Sequence, residues 1–233
     1  MNTLMKPTRI ALFDLDHTLL PLDSDYQWAD FMARTGRAGD PQQAQARNED
    51  LMNRYNQGQL SAQESAQFML GLLAAHPPHD LADWHESFMQ KVIRPALTAP
   101  SIALVQQHLN AGDLCAIVTA TNSFVTAPIA RAFGIPHLIA TKPQYVNGRY
   151  TGQIEGIPSF REGKIVRVNE WLAEMGLTLS DFESSHFYSD SMNDLPLLEC
   201  VTHPIATNPS DELRALAQAR QWAIIDLFKK EKI

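Results

Sequence analysis

The chain has 233 residues, with 19 basic and 26 acidic side chains and a net charge of −7. That length gives one large domain, or a domain carrying a smaller one, with a core that needs neither disulfides nor a structural metal. The acidic balance excludes generic binding to nucleic acid or to an anionic membrane, and no apolar run approaches the ~20 residues of a membrane span. Cys115 and Cys200 are the two cysteines. They lie far apart with no C-x-x-C spacing, which points to reduced thiols in a cytoplasmic protein, and nothing near Lys6 and Arg9 reads as an export signal.

Taken in chain order, Ile10 to Phe13 is a short unbroken apolar run ending in acidic residues, as expected of a strand buried on both faces of a parallel sheet. From about Ser24 to Arg94 the pattern is helical. Leu81, Trp84, His85, Phe88, Met89, Val92 and Ile93 keep helical spacing, Ser61 to Glu64 is a capping-box pattern, and Pro95 and Pro100 bracket the return. A helix through Ile102, Val105 and Leu109 stops before Gly112. A second buried strand, Leu114 to Val118, ends at Thr119. Tyr145 to Tyr150 is a hairpin, because Asn147-Gly148 supplies the positive φ angles of a type I′ turn. A helix through Ile165, Val168, Leu172 and Met175 stops before Gly176. Further strands follow at Phe187-Tyr188, Ile205-Ala206 and Ala223 to Ile225, and a helix near Asp194 to Pro196. Lys229 to Lys232 reads as a solvated tail. The class is α/β: a parallel sheet flanked by helices, an inserted all-helical unit and a small hairpin.

Ligands of such sheets bind beyond the carboxyl ends of the strands, and there this sequence is acidic. Asp14 and Asp16 stand two apart on an extended chain and project to one side. Two such carboxylates need a cation or a shared proton, and a hard-oxygen set suits Mg2+. Asp190 ends another strand and can reach the same edge, with Asn193 and Asp194 behind it. Thr119 offers a hydroxyl with neighbouring backbone amides, such as that of Ala120, and Lys164 a point charge at a helix start; both suit phosphoryl oxygens.

In this order the residues resemble the haloacid dehalogenase superfamily of phosphatases: D-x-D-x-T from Asp14 to Thr18, the second-motif hydroxyl at Thr119, the third-motif lysine at Lys164, and D-x-x-x-D from Asp190 to Asp194. The helical insertion resembles the cap of the phosphoserine-phosphatase-like subfamily. The resemblance implies a Rossmann-like core of residues 1–22 and 95–233 and a helical cap of residues 23–94. It also implies that Asp14 is a nucleophile forming an aspartyl-phosphate, that Asp16 is the general acid and base, and that Mg2+ is held by the Asp14 carboxylate, the Asp16 carbonyl and Asp190. Thr119, Ala120, Lys164 and Asn193 would hold the phosphoryl oxygens, and Asp194 would orient Lys164 or a metal-bound water.

The implied substrate is a small-molecule phosphomonoester. Asp23 stands where phosphoserine phosphatases carry an acid facing the substrate amine, while aligning Gly58 to Leu60 with the family's cap motif puts Gln67 where those enzymes have an arginine. That pattern favours a phosphorylated amino alcohol without a carboxylate, such as histidinol phosphate, over phosphoserine; Asp23 as a helix cap is an equal reading. Phosphoryl transfer to an alcohol, a phospho-aspartate switch and a silent binding protein remain open, as do the oligomeric state and the openness of the cap.

Overall fold

The computed structural model describes residues 8–57, 59 and 62–228. Gly58, Leu60 and Ser61, on which the Gln67 alignment and the capping box rest, lie outside them, as does the Lys229 to Lys232 end.

The chain begins with β1 (Arg9–Phe13) and then runs through four helices, α1 (Ser24–Arg34), α2 (Pro41–Asn56), α3 (Ala62–Ala74) and α4 (Pro78–Phe88). A π-helical turn over Met89–Ile93 joins α4 to a last short turn, α5 (Arg94–Ala96). Then come α6 (Ala99–Asn110), β2 (Leu114–Asn122), α7 (Ser123–Phe133), β3 (His137–Val146) and β4 (Arg149–Glu155). The last part is α8 (Glu162–Glu174), β5 (Ser184–Ser189), α9 (Leu195–Leu198), β6 (His203–Thr207), α10 (Asp211–Ala219) and β7 (Ala223–Ile225).

Among the described residues, seven strands form one sheet in the order β4-β3-β2-β1-β5-β6-β7. Every neighbouring pair is parallel except the β3–β4 hairpin, giving a Rossmann-like α/β fold. β1 lies at the centre, and its alternation divides the core. Ile10 and Leu12 pack with Val168 and Leu172 of α8, Leu197 of α9 and Leu213 of α10. Ala11 and Phe13 point to the other face, against Val105 of α6 and Val125 and Ile129 of α7. Ile10 to Phe13 are all fully buried, which is why this part of the strand reads as unbroken hydrophobicity rather than alternation.

The cluster around Phe13 continues without a break into the inserted helices, through Trp28, Phe31 and Met32 of α1, Leu70 and Leu73 of α3 and Leu81 and Phe88 of α4. Trp28 is the centre of this part, with the rings of Phe31, His85, Phe88 and Phe124 all within 6.0 Å of its own.

Three elements differ from the sequence expectation. β2 does not end at Val118 but runs to Asn122, with an irregular register against β3 between Thr119 and Asn122; such bulges re-aim side chains at strand ends. The parallel part of β3 and all of α7 were not legible, because Pro128 sits inside α7 and breaks its periodic signal. The Asn147-Gly148 turn is as expected, with φ of 50° and 79°.

Candidate active site

Three strand ends and one helix start converge on a buried group of charges. β1 delivers Asp14, whose N–H donates to the Tyr188 carbonyl at 2.9 Å, tying the end of β1 to β5. The first turn of α8 delivers Lys164. Its Nζ lies 2.8 Å from Asp14 Oδ1 and 2.7 Å from Asp194, and the side chains are 10%, 3% and 3% exposed for Asp14, Lys164 and Asp194. Burial pulls the lysine toward neutrality, but the adjacent Asp14 and Asp194 outweigh it and hold the ammonium charged above its usual range. Asp194 also accepts from Ser189 Oγ at 2.7 Å. Burial lifts its carboxyl to about 6 against the opposing pull of Lys164.

The lysine is aimed by an unusual turn. Arg161, just before α8, has φ 50°, and a Cβ at Gly163 would stand 2.1 Å from the Pro158 carbonyl oxygen. Only glycine fits that approach.

Thr18 ties Asp14 to Asp190. Its Oγ1 lies 3.0 Å from Asp14 Oδ2 and 3.3 Å from Asp190 Oδ1, and accepts the Asp190 N–H at 3.0 Å. Burial, then the charges of Asp14 and Asp194, push the Asp190 carboxyl well above its ordinary range. Two carboxylates sharing one hydroxyl, one of them resisting ionisation beside the other, form an all-oxygen set that a small hard cation would relieve, which fits Mg2+ with water completing its shell. Among the described residues no three His, Cys, Asp or Glu side chains are grouped as metal ligands, so backbone oxygen and water would supply the remainder.

Asp16 is held from two sides. Ser24 N–H donates to Oδ1 and Thr121 Oγ1 to Oδ2, both at 2.8 Å. Burial first, then Asp23 and Asp14, raise its carboxyl to about 7. Thr119 is buried with its hydroxyl accepting the Thr121 N–H at 3.2 Å, while Ala120 between them is exposed. Asn193 stands at the rim, its Oδ1 accepting from Arg161 Nε at 3.2 Å.

The substrate-side residues separate. Asp23 is the N-cap of α1, accepting the Tyr26 N–H at 2.7 Å. Gln67 is exposed on α3. Asp25 instead borders a small cavity of about 10 Å3 with Ala120, Asn122 and Thr141 on one side and Ala66, Met69 and Leu70 of α3 on the other. Asn122 Nδ2 donates to Asp25 Oδ1 at 2.9 Å. Burial and the neighbouring Asp23 and Asp16 push the Asp25 carboxyl well above its usual range. Sequence reasoning gave no role to Thr121, Asn122 or Ser189. The first two follow Thr119 directly and Ser189 precedes Asp190, so the signal was adjacency to motif residues.

A family described as haloacid dehalogenase-like hydrolase matches residues 11–199. A histidinol-phosphatase of Neisseria meningitidis serogroup C (strain 8013) is 40% identical over 218 residues, 93% of this chain and 98% of the relative. A solved structure of a protein of unknown function from Bordetella pertussis Tohama I is 71% identical, with a TM-score of 0.94, over 96% of this chain and 100% of the other. A phosphoserine phosphatase solved as a phospho-aspartyl intermediate analogue shares the fold, with a TM-score of 0.66 at 18% identity over 96% and 95% of the two chains.

Proposed function

Since the chain belongs to the haloacid dehalogenase-like hydrolase family and is a phosphatase, we propose that it hydrolyses a small phosphomonoester through an aspartyl-phosphate on Asp14. One Asp14 oxygen attacks phosphorus and the ester oxygen leaves, taking its proton from Asp16; the Asp16 carboxylate then takes a proton from the water that attacks the intermediate and frees phosphate. Asp16 is suited to this because Ser24 and Thr121 fix both its oxygens. Lys164, Thr119, Asn193 and the Ala120 amide hold the phosphoryl oxygens, and Asp194 orients Lys164. Asp14, Asp190 and the Asp16 carbonyl would hold Mg2+, which would neutralise charge between an anionic nucleophile and an anionic ester. The observation that carries this reading is the Asp194–Lys164–Asp14–Thr18–Asp190 chain of contacts.

Residues 23–94 serve as a helical cap on a core of residues 1–22 and 95–233, and the cap selects the leaving group. We take that group to be an amino alcohol. The 40% identical histidinol-phosphatase supports this, as does Asp25, a carboxylate on the cavity that a substrate ammonium would pair. Asp23 gives an oxygen to the α1 cap and Asp25 gives one to Asn122; Asp25 is favoured because it borders the cavity. Free Cys115 and Cys200 support a reducing, cytoplasmic setting.

The test is phosphate release from a panel of amino and non-amino phosphomonoesters, with and without EDTA, for wild type and Asp14→Asn. Metal-dependent turnover abolished by Asp14→Asn, fastest on an amino alcohol phosphate, is expected. Undiminished turnover in Asp14→Asn would overturn the mechanism, and equal rates on all esters the substrate class.

A further inference from the structure

A cavity of about 980 Å3 lies apart from the group of Asp14, Asp16, Lys164 and Asp190, none of which lines it. It is a groove between α4 with its π-helical turn, α7 and the β3–β4 hairpin. Its floor backs onto the small cavity beside Asp25. On β3 the side chains alternate, so Thr141 borders the small cavity beside Asp25 while Ala140 and Lys142 line the groove. At the start of α7, Asn122 faces the first and Ser123 and Phe124 the second.

The chemistry of the groove is opposite to that of the whole chain. Arg94, Arg131, Lys142 and Arg167 line it, against two carboxylates, Glu86 and Glu155. Arg94, Arg131 and Lys142 are exposed, and none of the four is ion-paired among the described residues. A chain of net charge −7 thus gathers an excess of cations without ion-pair partners in this groove. Beside them runs a ladder of rings: Phe124 meets Tyr150 edge-on at 5.7 Å, and Tyr150 meets Tyr145 edge-on at 5.0 Å. Tyr145 is 50% exposed, leaving a ring face for a guest. The volume is that of a site for a ligand of drug or nucleotide size, ~300–1,000 Å3, and π-helical turns such as the one between Met89 and Arg94 concentrate at functional sites.

We propose that this groove is a second ligand site, for a small anion carrying an aromatic ring, the ring stacking on Tyr145 and Tyr150 and the anionic group pairing with Arg131 and Lys142. It is independent of the hydrolytic reading, because none of its residues belongs to the catalytic group.

Two probes that are not phosphomonoesters test it: 1-anilinonaphthalene-8-sulfonate, read by fluorescence, and 3′,5′-cyclic AMP, read by calorimetry, each titrated into the full-length protein. Saturable one-to-one binding is expected, with each probe displacing the other. Arg131→Glu with Lys142→Glu should weaken both at least tenfold while the melting temperature stays near wild type, and Tyr145→Ala should weaken both. Asp14→Asn should bind them like wild type. Binding unmoved by the charge reversals, or lost in Asp14→Asn, would overturn the proposal. So would absence of binding, including the case in which sedimentation shows a dimer that Tyr145→Glu dissociates, since a second copy would then fill the groove.

Discussion

The ammonium of Lys164 lies 2.8 Å from Oδ1 of Asp14, across 150 positions of sequence, with the side chains 3% and 10% exposed. So deep an ion pair is held by mutual need: either charge alone would be stranded in a dry site. Lys164→Ala should therefore cost stability as well as activity, about 3–5 kcal/mol by urea unfolding and at least a hundredfold in kcat. Lys164→Arg should not rescue kcat, because a planar guanidinium cannot reach Asp14 and Asp194 as a point charge does. Near-wild-type unfolding of Lys164→Ala would show that the pair is not what holds this end of the sheet.

Gly163→Ala tests the turn that aims this lysine. The added methyl would meet the Pro158 carbonyl at 2.1 Å, so the backbone of residues 158–163 must move and carry Lys164 with it. We expect a loss of about 1–3 kcal/mol and a kcat fall of tenfold or more with a smaller change in KM. Wild-type kinetics would mean that the turn relaxes without moving Nζ.

Thr18→Val removes the hydroxyl that joins Asp14 to Asp190 while keeping the shape. Mg2+ binding, measured by calorimetry, should weaken about tenfold, and Thr18→Ser should restore most of it. If Thr18→Val binds Mg2+ normally, the hydroxyl does not organise the two carboxylates.

Asp25 separates selection from stability. Its carboxyl titrates well above its ordinary range because of burial and the nearby Asp23 and Asp16. Below ~3.9, the unfolded value, both states are protonated and burial costs nothing through ionisation. As pH rises past that point the unfolded chain ionises first, and stability is lost until the native group follows. Asp25→Asn should remove this loss, so its stability advantage over wild type should grow by about 1 kcal/mol or more between pH 4 and pH 8, measured in EDTA. The same variant should lose the preference for amino esters, and Asp23→Asn should keep it. The opposite pattern would return the amine to Asp23.

β1 was legible because it has no polar face to interrupt the apolar run, β5 and β6 through their buried pairs Phe187-Tyr188 and Ile205-Ala206, and the two acidic strings and Lys164 through their order along the chain. What could not be read depends on the third dimension. Asp23 and Asp25 are both carboxylates at the start of one helix, and only the folded chain shows that the first accepts the Tyr26 amide while the second accepts from Asn122 and borders a cavity. Thr121 and Asn122 looked like the residues after a strand, because the extension of β2 through an irregular register leaves no periodic trace. The basic groove was invisible for a different reason: Arg94, Arg131, Lys142 and Arg167 come from four separate segments, and an acidic total hides a local excess.

The 2.8 Å bond from the Ser24 amide to Asp16 ties the inserted helices to the end of β1. Ser24 is the first residue of α1, so one of the two donors that fix the proposed acid belongs to the inserted helices and the other, Thr121, to the sheet. On the proposed mechanism, the seating of α1 on the sheet and the aim of that carboxyl are therefore a single variable.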